Sequence, residues 1–185
     1  YYQNEYYFLL LTSVLGMTVM ASARDLVSIF VALETISIPT YVLAGFRKHD
    51  RKSNEAGIKY YVIGALSSAI MLYGMSFVYG VTGATKLADV AAGLAAVDDK
   101  QMGIVAVGVF LTLVGFAFKV SAFPFHWWAP DTYEGAPTPI TAFLSVASKA
   151  GGFVAMLSIL FFGFGAQPDS EWWLVVWIFA ATSMT

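Results

Sequence analysis

The sequence predicts an all-α protein: a polytopic bundle of about six transmembrane helices, one of which is broken. Hydrophobic residues make up 58% of the 185 residues and charged residues only 12%, which is about half the charged fraction of an ordinary soluble domain. Apolar stretches long enough to cross a hydrocarbon core of about 30 Å recur along the chain. No ten-residue alternation of apolar and polar residues indicates a membrane β-barrel.

Composition also excludes several classes of function. Cysteine is absent, so the chain has no disulfide, thiolate zinc site or cysteine-held iron–sulfur cluster. A net charge of −2 without a basic excess predicts no nucleic-acid partner. Neither His49 nor His126 has other ligand-type residues around it, and no phosphate loop or dinucleotide fingerprint is present. We therefore expect no metal and no cofactor in this chain, and a lipid bilayer around it.

Six apolar stretches meet or approach the length of about 20 helical residues that one crossing needs. The predicted spans are 6–23, 26–46, 56–80, 103–128, 140–163 and 172 to the last residue. Residues 87–97 are predicted as a short interfacial helix. The chain begins with Tyr1 and stops inside an apolar run at Thr185, so we expect a fragment of a longer multi-pass membrane protein.

The loop at 47–55 orients the predicted spans. It holds four of the ten basic residues, and the positive-inside rule puts such a loop in the cytoplasm. Alternation then puts 129–139 on the same side, and 24–25, 81–102 and 164–171 on the opposite side. Ser53, Asn54 and Glu55 are predicted as the cap and acidic first turn of the third span. We expect the membrane to be a bacterial plasma membrane.

Four ionisable residues lie inside the apolar spans: Glu34, Lys59, Lys119 and Lys149. Each costs about 2.5–3.5 kcal/mol at a helix centre, so such groups face a bundle interior or water and commonly mark a proton or ion path. Glu34 lies roughly 12 Å into its span at 1.5 Å per residue. Pro39, further along that span, cannot bond the carbonyl of Thr35, which loosens the helix beside Glu34.

Lys119 marks the predicted broken helix. Pro124 lacks an N–H group and would clash with the carbonyl of Val120, directly after the lysine. Broken helices in mid-membrane are a means by which transporters offer free backbone dipoles to ions. We therefore expect Lys119 at a helix break near the middle of the 103–128 run.

Lys149 lies roughly 13 Å into its span, and Ser145, Ser148 and Gly152 share or adjoin its face, forming a predicted polar stripe. Lys59 lies only about 6 Å past Glu55, so a role as a snorkelling anchor and a functional role are both open. His126 is open between a relay and a hydrogen-bonded interface histidine.

These residues predict a proton relay. Burial disfavours the charged form of a lysine, whereas a nearby carboxylate favours it, and two buried lysines have coupled charge states. Glu34 can therefore control whether a lysine holds its proton. Such a relay needs neither a metal nor an organic cofactor.

Two long segments resemble a known family. Residues 115–149 read GFAFKVSAFPFHWWAPDTYEGAPTPITAFLSVASK, and residues 33–80 read LETISIPTYVLAGFRKHDRKSNEAGIKYYVIGALSSAIMLYGMSFVYG. Both resemble the antiporter-like membrane subunits of respiratory complex I (NADH:quinone oxidoreductase), and among these the N-type, which is subunit 2 in mitochondrial naming. The DTYEGAPTPITAFLSVASK part separates the N-type from its M- and L-type relatives.

The resemblance implies both a fold and a set of roles. Residues 1–163 would form the first of two inverted five-helix repeats, and residues 164–185 would begin the next helix. Glu34, Lys119, Lys149 and Lys59 fall on the family's proposed proton-path positions; we add His126 from its place in the broken span.

The resemblance also implies which cofactors and partner subunits the complete complex would contain. NAD, FMN, iron–sulfur clusters and quinone would belong to partner subunits, and the membrane neighbours would be the M-, K- and J-type subunits. The chain would act as part of a proton-translocating oxidoreductase without its own redox chemistry. Two alternatives stay open: a subunit of a cation/proton antiporter or membrane-bound hydrogenase-type complex, and a scaffold whose buried charges serve assembly.

Overall fold

The computed structural model describes residues 2–165 and 172–184, and it consists of helices joined by short connections. In chain order the helices are α1 (Gln3–Ser22), α2 (Leu26–Ala44), α3 (Arg51–Thr82), α4 (Leu87–Ala95), α5 (Asp99–Val120), α6 (Trp128–Gly135), α7 (Thr138–Ser145), α8 (Ala147–Ser158), a π-helical turn (Ile159–Gly163) and α9 (Trp172–Met184). The predicted all-α class is confirmed.

Five segments are long and apolar enough to cross a membrane. They are α1, α2, α3, the Lys100–Val120 part of α5, and the Thr138–Gly163 segment that joins α7, α8 and the π-helical turn. They correspond to the first five predicted spans. The sixth predicted span contains α9, an apolar helix of 13 described residues. Helix α4 confirms the short helix predicted at 87–97.

The connections gather at two ends of the bundle, as the predicted alternation requires. At one end the turns before α2 and α4 pair through their backbones, with the Leu26 amide donating to the Thr85 carbonyl at 2.9 Å and the Leu87 amide donating to the Arg24 carbonyl at 3.0 Å. At the other end Lys52 of α3 forms an ion pair with Glu134 of α6. Which end faces the cytoplasm stays a prediction.

The start of α3 differs from the prediction. The helix begins at Arg51 because the Asp50 carboxylate accepts a hydrogen bond from the Lys52 amide at 3.0 Å and caps the helix. The cap predicted at Ser53 is wrong. The Ser53 hydroxyl instead donates to the Ala44 carbonyl at 2.9 Å, which ties the first turn of α3 to the end of α2.

The predicted helix break is confirmed after Val120, although the fourth span is shorter than expected. Helix α5 ends there because Ser121 takes a left-handed conformation with φ 59°, and Pro124 follows within the turns that precede α6. The segment predicted as the loop 129–139 is helical over most of its length, since α6 occupies Trp128–Gly135.

The fifth span contains a second interruption that the sequence did not predict. Helix α7 ends at Ser145 and α8 begins at Ala147, with Val146 between them at φ −118° and ψ −68°. Ser145 is exposed, whereas Ser148 and Gly152 are buried. The predicted stripe through Ser145 is therefore wrong, because the helix is interrupted at Val146.

Small residues bring the helices into close contact around the interior. A Cβ atom placed on Gly64 would lie 2.1 Å from the Tyr41 hydroxyl, and one placed on Gly74 would lie 2.5 Å from the Thr112 amide nitrogen. Helices α2, α3 and α5 therefore pack with little space between them. Next to this contact lies an aromatic cluster in which Trp128 stacks on Tyr60 with ring centroids 4.4 Å apart.

Candidate functional site

Lys119 is the most deeply buried charged side chain among the described residues, with 1% of its surface exposed. Its ammonium group donates a hydrogen bond to Ser37 Oγ at 3.0 Å. In the described part of the chain it forms no ion pair within 4 Å. Ser37 lies roughly 16 Å along α2, so the Lys119 amine lies beside the central part of that helix.

The broken helix explains how an amine can stay at this place. Lys119 belongs to the last turn of α5, where carbonyl groups without helical partners favour a positive charge. Helix α8 packs directly on the lysine stem, since a Cβ atom on Gly152 would lie 3.0 Å from Lys119 Cγ. The Trp128 indole donates to the Phe118 carbonyl at 3.2 Å, which fixes the end of α5 against α6.

Helix α2 presents a polar stripe to this amine. Glu34, Ser37 and Thr40 recur every three residues and so share one face of the helix. Ser37 and Thr40 are fully buried. Glu34 is half-buried, and its carboxylate is near enough to act electrostatically on Lys119. Glu34 thus lies on the helix that also carries Ser37, the hydrogen-bond partner of Lys119.

Tyr60 of α3 lies beside this stripe. Its hydroxyl is 3.4 Å from Thr40 Oγ1, and the buried Ser148 of α8 is near enough to interact with it. The Tyr60 side chain has no exposed surface. Its ring is held between Trp128 and an edge-on contact with Tyr41 at 4.7 Å.

Lys149 occupies the first turn of α8, on the helix that covers Lys119. It is half-buried, and its amine lies 5.5 Å from the centre of the Tyr133 ring, an arrangement in which the ring face stabilises the positive charge. Tyr133 is also close enough to Tyr60 to interact with it electrostatically.

Lys59 has a different environment. Its amine lies 2.6 Å from a carboxylate oxygen of Glu55 and 2.6 Å from one of Asp131, and its side chain is 42% exposed. With Lys52 and Glu134 these residues form a network of ion pairs between α3 and α6. We call this network the charged cap.

His126 lies in the turns between α5 and α6. It is half-buried next to Phe123, with ring centroids 5.6 Å apart. Its Nδ1 atom is buried and has no hydrogen-bond partner among the described residues. His49, which the sequence assigns to the loop after α2, is exposed.

Buried polar atoms without a hydrogen-bond partner concentrate along these elements. Within the described residues they are Glu34 Oε1, Tyr41 OH, Ser68 Oγ, Ser121 Oγ, His126 Nδ1, Thr132 Oγ1 and Tyr133 OH. Leaving such groups unpaired costs about 1–3 kcal/mol each, so native proteins commonly satisfy them with ordered water. These atoms therefore mark places in the described interior where water or another polar partner would complete the hydrogen bonding.

Sequence reasoning identified Glu34 and Lys119 but missed Ser37, Thr40 and Tyr60. A signal was present, because Glu34, Ser37 and Thr40 repeat at three-residue spacing inside an otherwise apolar span. Tyr60 carried no such signal. Its role depends on α2 and α8 both reaching it across the bundle.

Comparisons with known proteins agree with this geometry. The family model described as "NADH:quinone oxidoreductase/Mrp antiporter, TM" matches residues 23–185. NADH-quinone oxidoreductase subunit N of Trichlorobacter lovleyi is 49% identical over 182 residues, which cover 98% of this chain and 37% of that relative. The chain thus spans little more than a third of the length of the curated relatives it matches.

Solved structures share the fold. A chain of respiratory complex I from Thermus thermophilus is 40% identical with a TM-score of 0.73, over 83% of this chain and 34% of that one. A chain of an archaeal membrane-bound sulfane sulfur reductase is 32% identical with a TM-score of 0.81, over 94% of this chain and 34% of that one. The chain therefore belongs to the NADH:quinone oxidoreductase/Mrp antiporter transmembrane family, and the resemblance to N-type subunits is confirmed.

Proposed function

We propose that this chain is the proton-translocating part of an N-type subunit of NADH:quinone oxidoreductase. Two of the similarities support this assignment, because one is to a protein named subunit N and the other to a chain of respiratory complex I. Glu34, Lys119 and Lys149 are the proposed proton-carrying residues. Residues 1–163 form the proposed first antiporter-like repeat, with 164–185 as the start of the helix that follows.

The observation that carries the proposal is the buried amine of Lys119. It has a hydroxyl ligand on Ser37 and a carboxylate, Glu34, within electrostatic range. A buried ammonium group without an ion pair is a costly structural element. We infer that the amine is retained despite this destabilisation because it can both hold and release a proton.

The proposed chemistry is a proton transfer controlled by charge. When Glu34 is ionised, its negative charge stabilises the ammonium form of Lys119. When Glu34 is protonated or moves away, the ammonium loses this stabilisation, and one N–H bond breaks as the proton passes to a neighbouring acceptor. The neutral amine then accepts the next proton, so the lysine returns to its first state.

The remaining assignments follow from the proposed identity. NAD, FMN, iron–sulfur clusters and quinone belong to partner subunits, and M-, K- and J-type subunits are the proposed membrane neighbours. This chain carries no redox step of its own in the proposal, in line with its lack of cysteine ligands for such clusters. The membrane is a bacterial plasma membrane, and the 47–55 connection faces the cytoplasm.

Two residues receive narrower roles. The two carboxylates around Lys59 favour an anchoring ion pair over a relay, since they hold the amine in its charged form at the edge of the bundle. The unpartnered Nδ1 of His126 favours a relay over a hydrogen-bonded interface histidine. Both roles are proposals.

The test uses the full-length subunit within its intact complex, in sealed membrane vesicles. We expect Lys119→Met to lower proton translocation per electron, because methionine has a similar volume but cannot carry a proton. Lys100→Met is the matched control, since Lys100 is an exposed residue at the other end of the same helix. Unchanged translocation in Lys119→Met would refute the role proposed for the buried amine.

A second candidate function is that of a cation/proton antiporter subunit. The observation that favours it is the matched family model, whose description also includes Mrp antiporters. A chain of a sulfane sulfur reductase shares the fold as well. Sodium-dependent proton flux in vesicles that lack any electron donor would favour the antiporter. Flux that requires electron transfer would favour the oxidoreductase subunit.

A further inference from the structure

Tyr60 of α3 carries a fully buried side chain near the surroundings of both Lys119 and Lys149, the two lysines proposed to carry protons. Lys119 contacts Ser37 on α2, while Lys149 lies over the ring of Tyr133. Tyr60 lies next to Thr40 on one side, with its hydroxyl 3.4 Å from Thr40 Oγ1, and the buried Ser148 of α8 is near enough to interact with that hydroxyl on the other. Thr40 is one helical turn past Ser37 on the same face of α2.

We propose that the Tyr60 hydroxyl passes protons between the Lys119 side and the Lys149 side, with Thr40 and Ser148 as its neighbours in the path. This inference rests on the proposed function. It adds a hydroxyl relay of this chain to the charged residues that the sequence already indicated.

A hydroxyl group can carry a proton without gaining a net charge. The Tyr60 oxygen accepts a proton from the Thr40 side, and its own O–H bond breaks as that proton passes to Ser148. The group is a neutral hydroxyl before and after each transfer. One water molecule spans the helical turn between Ser37 and Thr40 in this scheme, and a second links Ser148 to the Lys149 amine.

The surroundings of Tyr60 suit a fixed relay. Its ring lies almost parallel to Trp128, with an interplanar angle of 16°, and meets Tyr41 edge-on at 84°. Trp128 is itself held by its hydrogen bond to the Phe118 carbonyl, next to Lys119 in the chain. The oxygen therefore stays near Thr40 and Ser148 through packing of the ring, and removal of the hydroxyl leaves that packing in place.

The experiment compares Tyr60→Phe with Tyr61→Phe in the intact complex in sealed vesicles. Phenylalanine retains the ring stack and removes only the hydroxyl. We expect the rate of proton translocation to fall by about a hundredfold in Tyr60→Phe, the lower end of what a positioned proton-transfer group contributes. Tyr61 is an exposed tyrosine of the same helix, and its variant should translocate at the wild-type rate.

A second pair of variants separates the hydroxyl from the packing. Thr40→Ser keeps a hydroxyl next to Tyr60 and should retain most of the rate, whereas Thr40→Val keeps the shape and should lose it. The solvent deuterium isotope effect on translocation should rise in Tyr60→Phe and in Thr40→Val, because the interrupted proton step becomes rate-limiting. A purely structural role would not raise the isotope effect.

Lys119→Met in the same vesicles separates failure of the Tyr60 relay from failure of the proposed function. If that variant loses translocation while Tyr60→Phe and Thr40→Val match the wild type, the hydroxyl relay is wrong and the proposed function stands. If all three translocate normally, the proposed function itself is wrong. A Tyr60→Phe complex that fails to assemble leaves the Thr40→Val and Thr40→Ser pair to decide the relay.

Discussion

Lys119 and Lys59 look alike in the sequence, since each is an amine inside an apolar span, but the structure gives them opposite environments. Lys119 is fully buried, with one hydroxyl ligand and no ion pair among the described residues. Lys59 is partly exposed and lies between two carboxylates. An amine whose charge is permanently satisfied stabilises contact between helices, whereas an amine whose charge is barely satisfied is suited to release its proton.

The largest expected effect separates function from stability at Lys119. Replacing a buried, poorly paired charge with a methionine of similar volume removes a desolvation cost, so we expect Lys119→Met to be as stable as the wild type or more stable, by about 1–4 kcal/mol. The same variant should lose proton translocation. Thermal unfolding of the purified complex, measured beside translocation in vesicles, checks both.

A loss of stability in Lys119→Met would break the comparison. It would mean that the ammonium group contributes more through Ser37 and Glu34 than its burial costs. Lys119 would then resemble Lys59 as a structural charge.

The next effect concerns the packing that creates the charged cap. A Cβ atom on Gly135 would lie 2.3 Å from the Lys52 carbonyl oxygen, a backbone atom of α3. Gly135→Ala should therefore separate α6 from α3 and cost about 1–3 kcal/mol, which is typical of overpacking. Chemical denaturation of the full-length subunit in detergent measures this cost.

Gly80→Ala is the matched control for that change. Gly80 lies in α3, the helix that Gly135 contacts, and nothing lies within 4 Å of a Cβ atom placed on Gly80. Alanine should be neutral there or stabilise the helix by up to about 1 kcal/mol. If Gly135→Ala and Gly80→Ala lowered the free energy of unfolding equally, the close contact between α6 and α3 would not be what stabilises the charged cap.

How much of this could be read from the sequence depends on whether a property is local. The spans and the break at Val120 follow from apolar length and from Pro124, both of which act within one or two helical turns. The start of α3 was misplaced because Asp50 and Ser53 are both good capping residues, and only the end of α2 decides that Ser53 is used elsewhere. The helix interruption at Val146 carries no proline or glycine signal.

The same distinction between local and non-local properties applies to the candidate site. Glu34 and Lys119 stand out in the sequence because a charge in an apolar span is costly wherever it points. Tyr60 could not be recognised, since a tyrosine is ordinary in such a span and its contacts come from α2 and α8. The two roles left open for Lys59 depended on Asp131, which is far away in the chain and was read as part of a loop.

A smaller effect belongs to the opposite end of the bundle, at the cap of α2. Partial burial by itself would raise the pKa of Asp25, but hydrogen bonds from the Thr85 side chain and from the Ser28 and Val27 backbones hold that pKa below its usual value. The Ser28 amide donates to the carboxylate at 3.0 Å. Asp25→Ala should cost about 1 kcal/mol at neutral pH, as for other helix caps.

The pH dependence of that difference has a defined sign. A carboxyl whose pKa is lowered by folding stabilises the native state above the pKa of the unfolded chain, and this contribution disappears as the pH falls through the native pKa. The Asp25→Ala and wild-type stabilities should therefore converge below about pH 4. A stability difference that persists at acidic pH would assign the effect to packing rather than to the charge.

The smallest expected effect completes the comparison, at Lys59. Exposed ion pairs are typically worth 0.2–1 kcal/mol, so Lys59→Met should lose about 0.5 kcal/mol or less and translocate protons near the wild-type rate. Asp131→Asn should behave similarly, because it removes one of the two carboxylates and leaves Glu55 in place. If Lys59→Met abolished translocation as fully as Lys119→Met, a charge held by two carboxylates would also lie on the proton path. The contrast in burial and pairing between the two lysines would then have no functional meaning.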